Sequence, residues 1–184
     1  MEGRENAQHD NLKNEPFWKG FYTMTAVLGL VLLAFGILLY RRTIINAYIP
    51  ISIMLVVGFV TFYFNRQHYK KTYLLVENFL LFIQHLISWG SLSCYVFMAT
   101  NYYLADTKTT EYKFSIKEKN SMSGTKGHRD ERQPLVTIDF FCLEKELVFR
   151  YVDTDKVNRA DSVTVVVRKG GLGFDILDKY EVSN

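Results

Sequence analysis

FYTMTAVLGLVLLAFGILLYRRTIINAYIPISIMLVVGFVTFYF, residues 21–64, holds two long runs free of acidic and basic side chains, separated only by Arg41, Arg42 and Thr43. At a rise of about 1.5 Å per residue, roughly 20 apolar residues cross the hydrocarbon core of a bilayer. The runs 21–40 and 44–64 are therefore expected to be transmembrane helices, and so tight a link makes them an antiparallel hairpin. Pro50, near the start of the second run, is tolerated because neighbouring helices can satisfy the carbonyl it frees.

Working outward, a third run at 77–101 is less apolar but long enough to span, with Tyr102 and Tyr103 after it as interfacial anchors. The lead-in MEGRENAQHDNLKNEP has no apolar periodicity and is expected to be a solvated tail. It is too long, and the run after it too long, for a cleaved signal peptide, and no A-x-A-like site follows. The overall content of 48% hydrophobic and 15% aromatic residues in a chain of 184 would suit one globular domain, but the long apolar runs lie before residue 105. The expected organisation is a disordered polar tail over 1–16, a three-helix transmembrane bundle over 17–105 and a soluble β domain over 106–184.

Within that β domain, YKFSIKEK alternates Tyr112, Phe114 and Ile116 with polar neighbours, the period of a half-buried strand. LVTIDFFCLEKELVFRYV predicts two strands around a turn near Glu144 and Lys145, with Val136, Ile138 and Phe140 facing Leu147, Phe149 and Tyr151. SVTVVVRK adds Val163, Val165 and Val167, and GFDILD a last strand. The fold class is thus membrane α-helical with a small all-β C-terminal domain, an antiparallel sandwich or open barrel.

The loop NSMSGTKGHRDERQ reads as solvated and flexible, and its alternative is an anion-binding tip of Lys126, His128, Arg129 and Arg132 opposed by Asp130 and Glu131. From residue 106 onward the chain carries 14 basic and 14 acidic residues, so the basic footprint of a nucleic-acid binder is absent and no nucleic-acid partner is expected. Near the C-terminus, KGGLGFDI resembles a signature of small multi-spanning bacterial membrane proteins of uncharacterised function, in which helices precede a short β domain ending in such a run. The resemblance covers the last 25 or so residues and the general layout, and implies no activity. Read from the residues, Gly170 and Gly171 supply a turn with φ > 0, Gly173 allows close approach or a bulge, and Phe174 returns to the core. No third glycine or following helix supports a phosphate loop.

The search for chemistry points away from an enzyme. His9, His68, His85 and His128 fall in tail, loop, helix and loop, and Cys94 and Cys142 in a membrane helix and a strand, without metal-ligand, redox, nucleophile-elbow or Walker spacing. No catalytic residue, metal or cofactor is expected. What stands out is the third span, where Glu77, Gln84, Ser88, Ser91 and Tyr95 fall within about 40° of one line at 100° per residue, flanked by Asn78 and His85. Thr25, Gly29 and Gly36 in the first helix, and Ala47, Gly58 and Thr61 in the second, offer faces for close helix approach. Three readings of the stripe follow: hydrogen bonding between helices, interfacial placement of Glu77 and Asn78, and a polar pathway.

The expected function is a non-enzymatic integral protein of the bacterial inner membrane whose β domain binds a protein or small ligand at the membrane surface. The alternatives are an oligomeric, channel-like membrane-perturbing effector of the defence type, controlled by its β domain, and an accessory subunit of a larger complex. The bilayer is the expected partner, with self-association in the effector case. Arg41 and Arg42 after the first helix favour a cytoplasmic C-terminal domain, although Arg66, Lys70 and Lys71 then lie on the other side.

Overall fold

The structure is a computed structural model and describes residues 2–72, 77–123, 132–141 and 143–183. Three helices are long and apolar enough to cross a membrane, over Pro16–Arg42, Tyr48–Lys70 and Asn78–Tyr103. Their large apolar side chains, Val27, Leu38, Leu55 and Phe59 among them, point outward. Such surface suits lipid and not water. The chain divides into two compact units, one built from residues up to Leu38 with Ala47–Ala99, the other from Leu39–Asn46 with the chain from Thr100.

In the first unit, α1 (Glu2–Arg42) and α2 (Tyr48–Thr72) pack with a third, compound helix made of α3 (Asn78–His85), a π-helical turn at Leu86–Gly90 and α4 (Ser91–Tyr103). The helix that holds the first span is continuous from Glu2 to Arg42. Pro16 lies inside it and removes one i→i−4 hydrogen bond between the lead-in and the span. The second helix begins at Tyr48 instead of Ile44, so Pro50 sits in its first turn, where its missing N–H costs nothing, and no carbonyl needs rescuing. It also runs on to Thr72, which places His68 on a helix and not in a loop.

Small residues set the helix crossings. A Cβ on Gly29 would lie 2.1 Å from the Ile87 carbonyl oxygen, one on Gly58 2.9 Å from Leu86, and one on Gly90 2.7 Å from the Met54 carbonyl oxygen. The compound helix therefore touches α1 and α2 backbone to backbone, the approach that small residues permit in membranes.

The second unit is a six-stranded antiparallel sheet, curled nearly into a barrel, in the order β1-β6-β5-β2-β3-β4. Its strands are β1 (Thr43–Ile44), β2 (Thr109–Met122), β3 (Gln133–Phe140), β4 (Leu143–Val148), β5 (Ser162–Lys169) and β6 (Asp175–Ser183). β2 pairs with β5 through Thr109–Ser115 and with β3 from Ile116 onward, with a register shift between Ile116 and Glu118 where the sheet bends. The two free edges meet through side chains: Lys145 of β4 donates to the Thr43 carbonyl of β1 at 2.9 Å, and the Tyr180 hydroxyl of β6 donates to the Val148 carbonyl of β4 at 2.6 Å. Inside lie Ile44, Val136, Ile138, Phe140, Leu147 and Val165, with Val157 of a short α5 (Thr154–Arg159) packed among them.

Two expectations change here. The β3–β4 turn falls at Phe141, not at Glu144 and Lys145, because Lys145 is needed within β4 to reach Thr43. Tyr151 leaves the barrel face for a 3-10 turn at Tyr151–Asp153 and is half exposed, while Leu147 and Phe149 are buried as expected. The alternation of β5 puts Val163, Val165 and Val167 inward, as read.

Candidate functional site

The stripe on the compound helix is assembled from α3, the π turn and α4. Glu77 is exposed at the start of α3 and makes no side-chain cap, and Asn78 beside it is also exposed. Gln84 donates to the Tyr22 carbonyl of α1 at 3.0 Å, a hydrogen bond between helices. His85 is 1% exposed, its ring 4.7 Å from Tyr69 and 6.3 Å from Phe62 of α2. Ser88 and Ser91 are buried as well, and Tyr95 is half-buried where α1 passes: a Cβ on Gly36 would lie 3.9 Å from the Tyr95 Cα.

Neither ring nitrogen of His85, nor the hydroxyls of Ser88 and Ser91, has a hydrogen-bond partner among the described residues. The wheel at 100° per residue placed His85 on the flank. The π turn at Leu86–Gly90 breaks that period, and π segments recur at functional sites. Three polar side chains are thus buried along a helix whose backbone touches its neighbours, and buried polar groups without partners are few in folded proteins.

At the end of the stripe marked by Gln84, sequence reasoning missed an aromatic cluster. The Tyr22 hydroxyl and His68 Nδ1 are 2.5 Å apart, Trp18 meets the His68 ring edge-on at 4.6 Å, and the Tyr22 and Tyr69 rings lie 3.7 Å apart. The signal is the i, i+4 spacing of Trp18 and Tyr22 on one helix face, half of which lies before the first apolar run at 21–40.

The glycine-rich turn between β5 and β6 is held by a residue that sequence reasoning also missed. Asn101, 0% exposed near the end of α4, accepts from the Leu172 and Phe174 N–H groups at 3.1 and 3.3 Å and donates to the Phe174 carbonyl at 3.1 Å. Its own carbonyl accepts from the Gly171 N–H at 2.9 Å. The glycine roles are exchanged relative to expectation. A Cβ on Gly170 would lie 2.4 Å from the Asn101 side chain, and one on Gly171 2.8 Å from the Leu104 carbonyl oxygen. Gly173 has φ +90 with open space around it and supplies the left-handed turn. Phe174 is half-buried.

Around this clamp, Arg42 donates to the Tyr102 hydroxyl at 3.1 Å, the Arg168 guanidinium lies 5.1 Å over the Tyr102 ring, and Arg168 pairs with Asp178 at 3.0 Å. Lys145 lies 5.7 Å over the Tyr40 ring, and burial first, then Arg41, hold its pKa below the usual lysine value.

The barrel interior is filled by its own side chains. Beside α5, at the barrel end away from Asn101, an open hollow of about 330 Å³ is lined by Asp155, Lys156, Arg159 and Val182. Of the anion-binding tip, Lys126, His128 and Arg129 lie outside the described residues, as does Cys142, and Arg132 is exposed. Among the described residues no cluster of three or more His, Cys, Asp or Glu could hold a metal ion. No protein-family model matches the chain, no curated protein matches it and no solved structure matches it.

Proposed function

We propose that this chain is a non-enzymatic, multi-pass protein of the bacterial plasma membrane whose C-terminal barrel binds a protein or small ligand at the membrane surface and passes its bound state to the helix ends. The observation that carries this reading is that the barrel is built into the ends of two membrane helices. Thr43 and Ile44, directly after α1, pair with β6, and Asn101 near the end of α4 grips the β5–β6 turn. A filled interior leaves the outer surface for recognition, and the hollow at Lys156 and Arg159 offers a concave, charged place for it. Arg41 and Arg42 favour the cytoplasmic side for the barrel.

Hydrogen exchange on freshly isolated cell membranes, compared with the purified protein in liposomes, tests the reading. Protection is expected around Arg159 and Val182 in cell membranes, together with altered exchange at Leu172 and Phe174. Asn101→Ala should keep the first change and lose the second. Identical exchange in both preparations would overturn the proposal. A fluorescent protein fused after Asn184 should glow and a phosphatase fused there should be inactive; the reverse places the barrel outside.

The unpartnered His85, Ser88 and Ser91 favour a second reading, in which the bundle repacks into an oligomer that perturbs the bilayer when the barrel is occupied. Growth arrest on overexpression with dye leakage from proteoliposomes is expected from that reading alone.

A further inference from the structure

Phe141 combines three properties that rarely coincide. It is a bulky aromatic residue in the left-handed region at φ +47, it is 64% exposed, and its ring is braced edge-on by Phe140, Tyr112 and Phe114 at 5.0, 5.3 and 5.8 Å. Asn, Asp or Gly is the usual occupant of such a backbone position. Strain kept at an exposed aromatic tip points to a role for the tip.

The register gives its level in the barrel. Lys145 of β4 bonds to Thr43, which pairs with Ile176 of β6, and Val148 of β4 is bonded by Tyr180 of β6. β4 therefore runs alongside β6 in the same direction, away from the helix ends. Going back from Lys145 to Phe141 leads toward those ends. Lys145 itself already touches Tyr40, inside the apolar span Pro16–Arg42, so the turn beyond it lies at the depth where that span reaches the membrane surface.

The same end of the barrel carries Tyr103, Leu104 and Leu172, all exposed, beside Arg41 and Arg42. Exposed aromatic and aliphatic side chains next to arginines are the composition of a membrane interface, although Asp139 and Glu144, both exposed, stand on either side of the Phe141 turn.

We infer that the β3–β4 turn, led by Phe141, is seated in the interfacial layer of the bilayer that the helices span, as are Leu104 and Leu172. The barrel is then held against the lipid surface as well as by its chain connections. This inference rests on the reading that the helices cross a membrane, and the experiment separates the two.

Cys94 and Cys142 are replaced by serine and an environment-sensitive fluorophore is attached to Phe141→Cys, to Leu172→Cys, to Phe35→Cys on the outward face of α1, or to Val152→Cys. Val152 is 78% exposed at the opposite end of the barrel. Each protein is reconstituted in vesicles of phosphatidylethanolamine and phosphatidylglycerol containing lipids with a nitroxide high or low on the acyl chain. Labels at 141 and 172 are expected to be quenched most by the shallow nitroxide, the label at 35 most by the deep one, and the label at 152 by neither. Quenching at 35 with labels at both 141 and 172 behaving like 152 overturns the inference and leaves the spanning helices intact. Loss of quenching at 35 overturns the membrane reading itself and the inference with it.

Discussion

Replacing Asn101 by alanine removes one side chain and three hydrogen bonds, to the Leu172 N–H, the Phe174 N–H and the Phe174 carbonyl. Each is worth about 0.5–1.5 kcal/mol net, and more where a group stays buried without a partner. Leu172 is partly exposed, so water can recover part of the loss at that position. The sum is about 3 kcal/mol, or about two powers of ten in the equilibrium for opening the turn. The Gly171 N–H bond to the Asn101 backbone carbonyl survives the substitution, as does the Asp106 N–H bond to the Lys169 carbonyl. The effect should therefore be local opening and not global unfolding. Hydrogen exchange in detergent or liposomes is the assay: the Leu172 and Phe174 amides should exchange about 100-fold faster in Asn101→Ala, with Val163 and Val165 unchanged. A rise of less than about threefold at both amides would refute the clamp, because three lost bonds cannot contribute so little.

Further outcomes concern the bundle and the barrel seam. Gly29→Val should cost about 1–3 kcal/mol, read as a lowered detergent melting temperature, because its Cβ meets the Ile87 backbone, whereas Gly20→Val, with nothing within 4 Å, should be nearly silent. Gln84→Leu should cost about 0.6 kcal/mol, the usual value for a hydrogen bond between membrane helices. Ser91→Ala should be neutral or stabilising, since the hydroxyl has no partner among the described residues, and a larger loss than in Gln84→Leu would contradict this. Tyr180→Phe should cost about 1 kcal/mol at neutral pH through the lost bond to Val148. Burial raises the Tyr180 pKa in the folded state, so its contribution is complete below about pH 10 and is lost as the pH climbs through the folded value. Denaturant midpoints across that range should fall more steeply in the wild type than in Tyr180→Phe.

The spans were legible because length and the absence of charge suffice to define them, and β5 because strict alternation survives in Val163, Val165 and Val167. β1 was not legible. Two residues carry no period, and Thr43 and Ile44 become a strand only because β6 offers an edge beside them. The β3–β4 turn was misplaced because polar Glu144 and Lys145 look like turn residues, while the chain turns at an aromatic pair for reasons that lie across the sheet. The polar stripe was visible, yet its depth at His85 was not, because a helical wheel assumes one period and the π turn breaks it. Asn101 drew no notice in the sequence, since nothing local announces partners some seventy residues later in the chain.

The contribution of Thr43 and Ile44 to the barrel also sets an order of assembly. β1 leaves the ribosome early and has no partner until β6, the last strand, is made. Until then Thr43 and Ile44 have no strand to pair with, so completion follows synthesis of all three long helices and is slow in the way that pairings distant in sequence are slow. A fragment beginning after the third helix would carry the remaining five strands with an uncovered β6 edge. This domain is consequently finished only by a chain whose three long apolar helices have already been made.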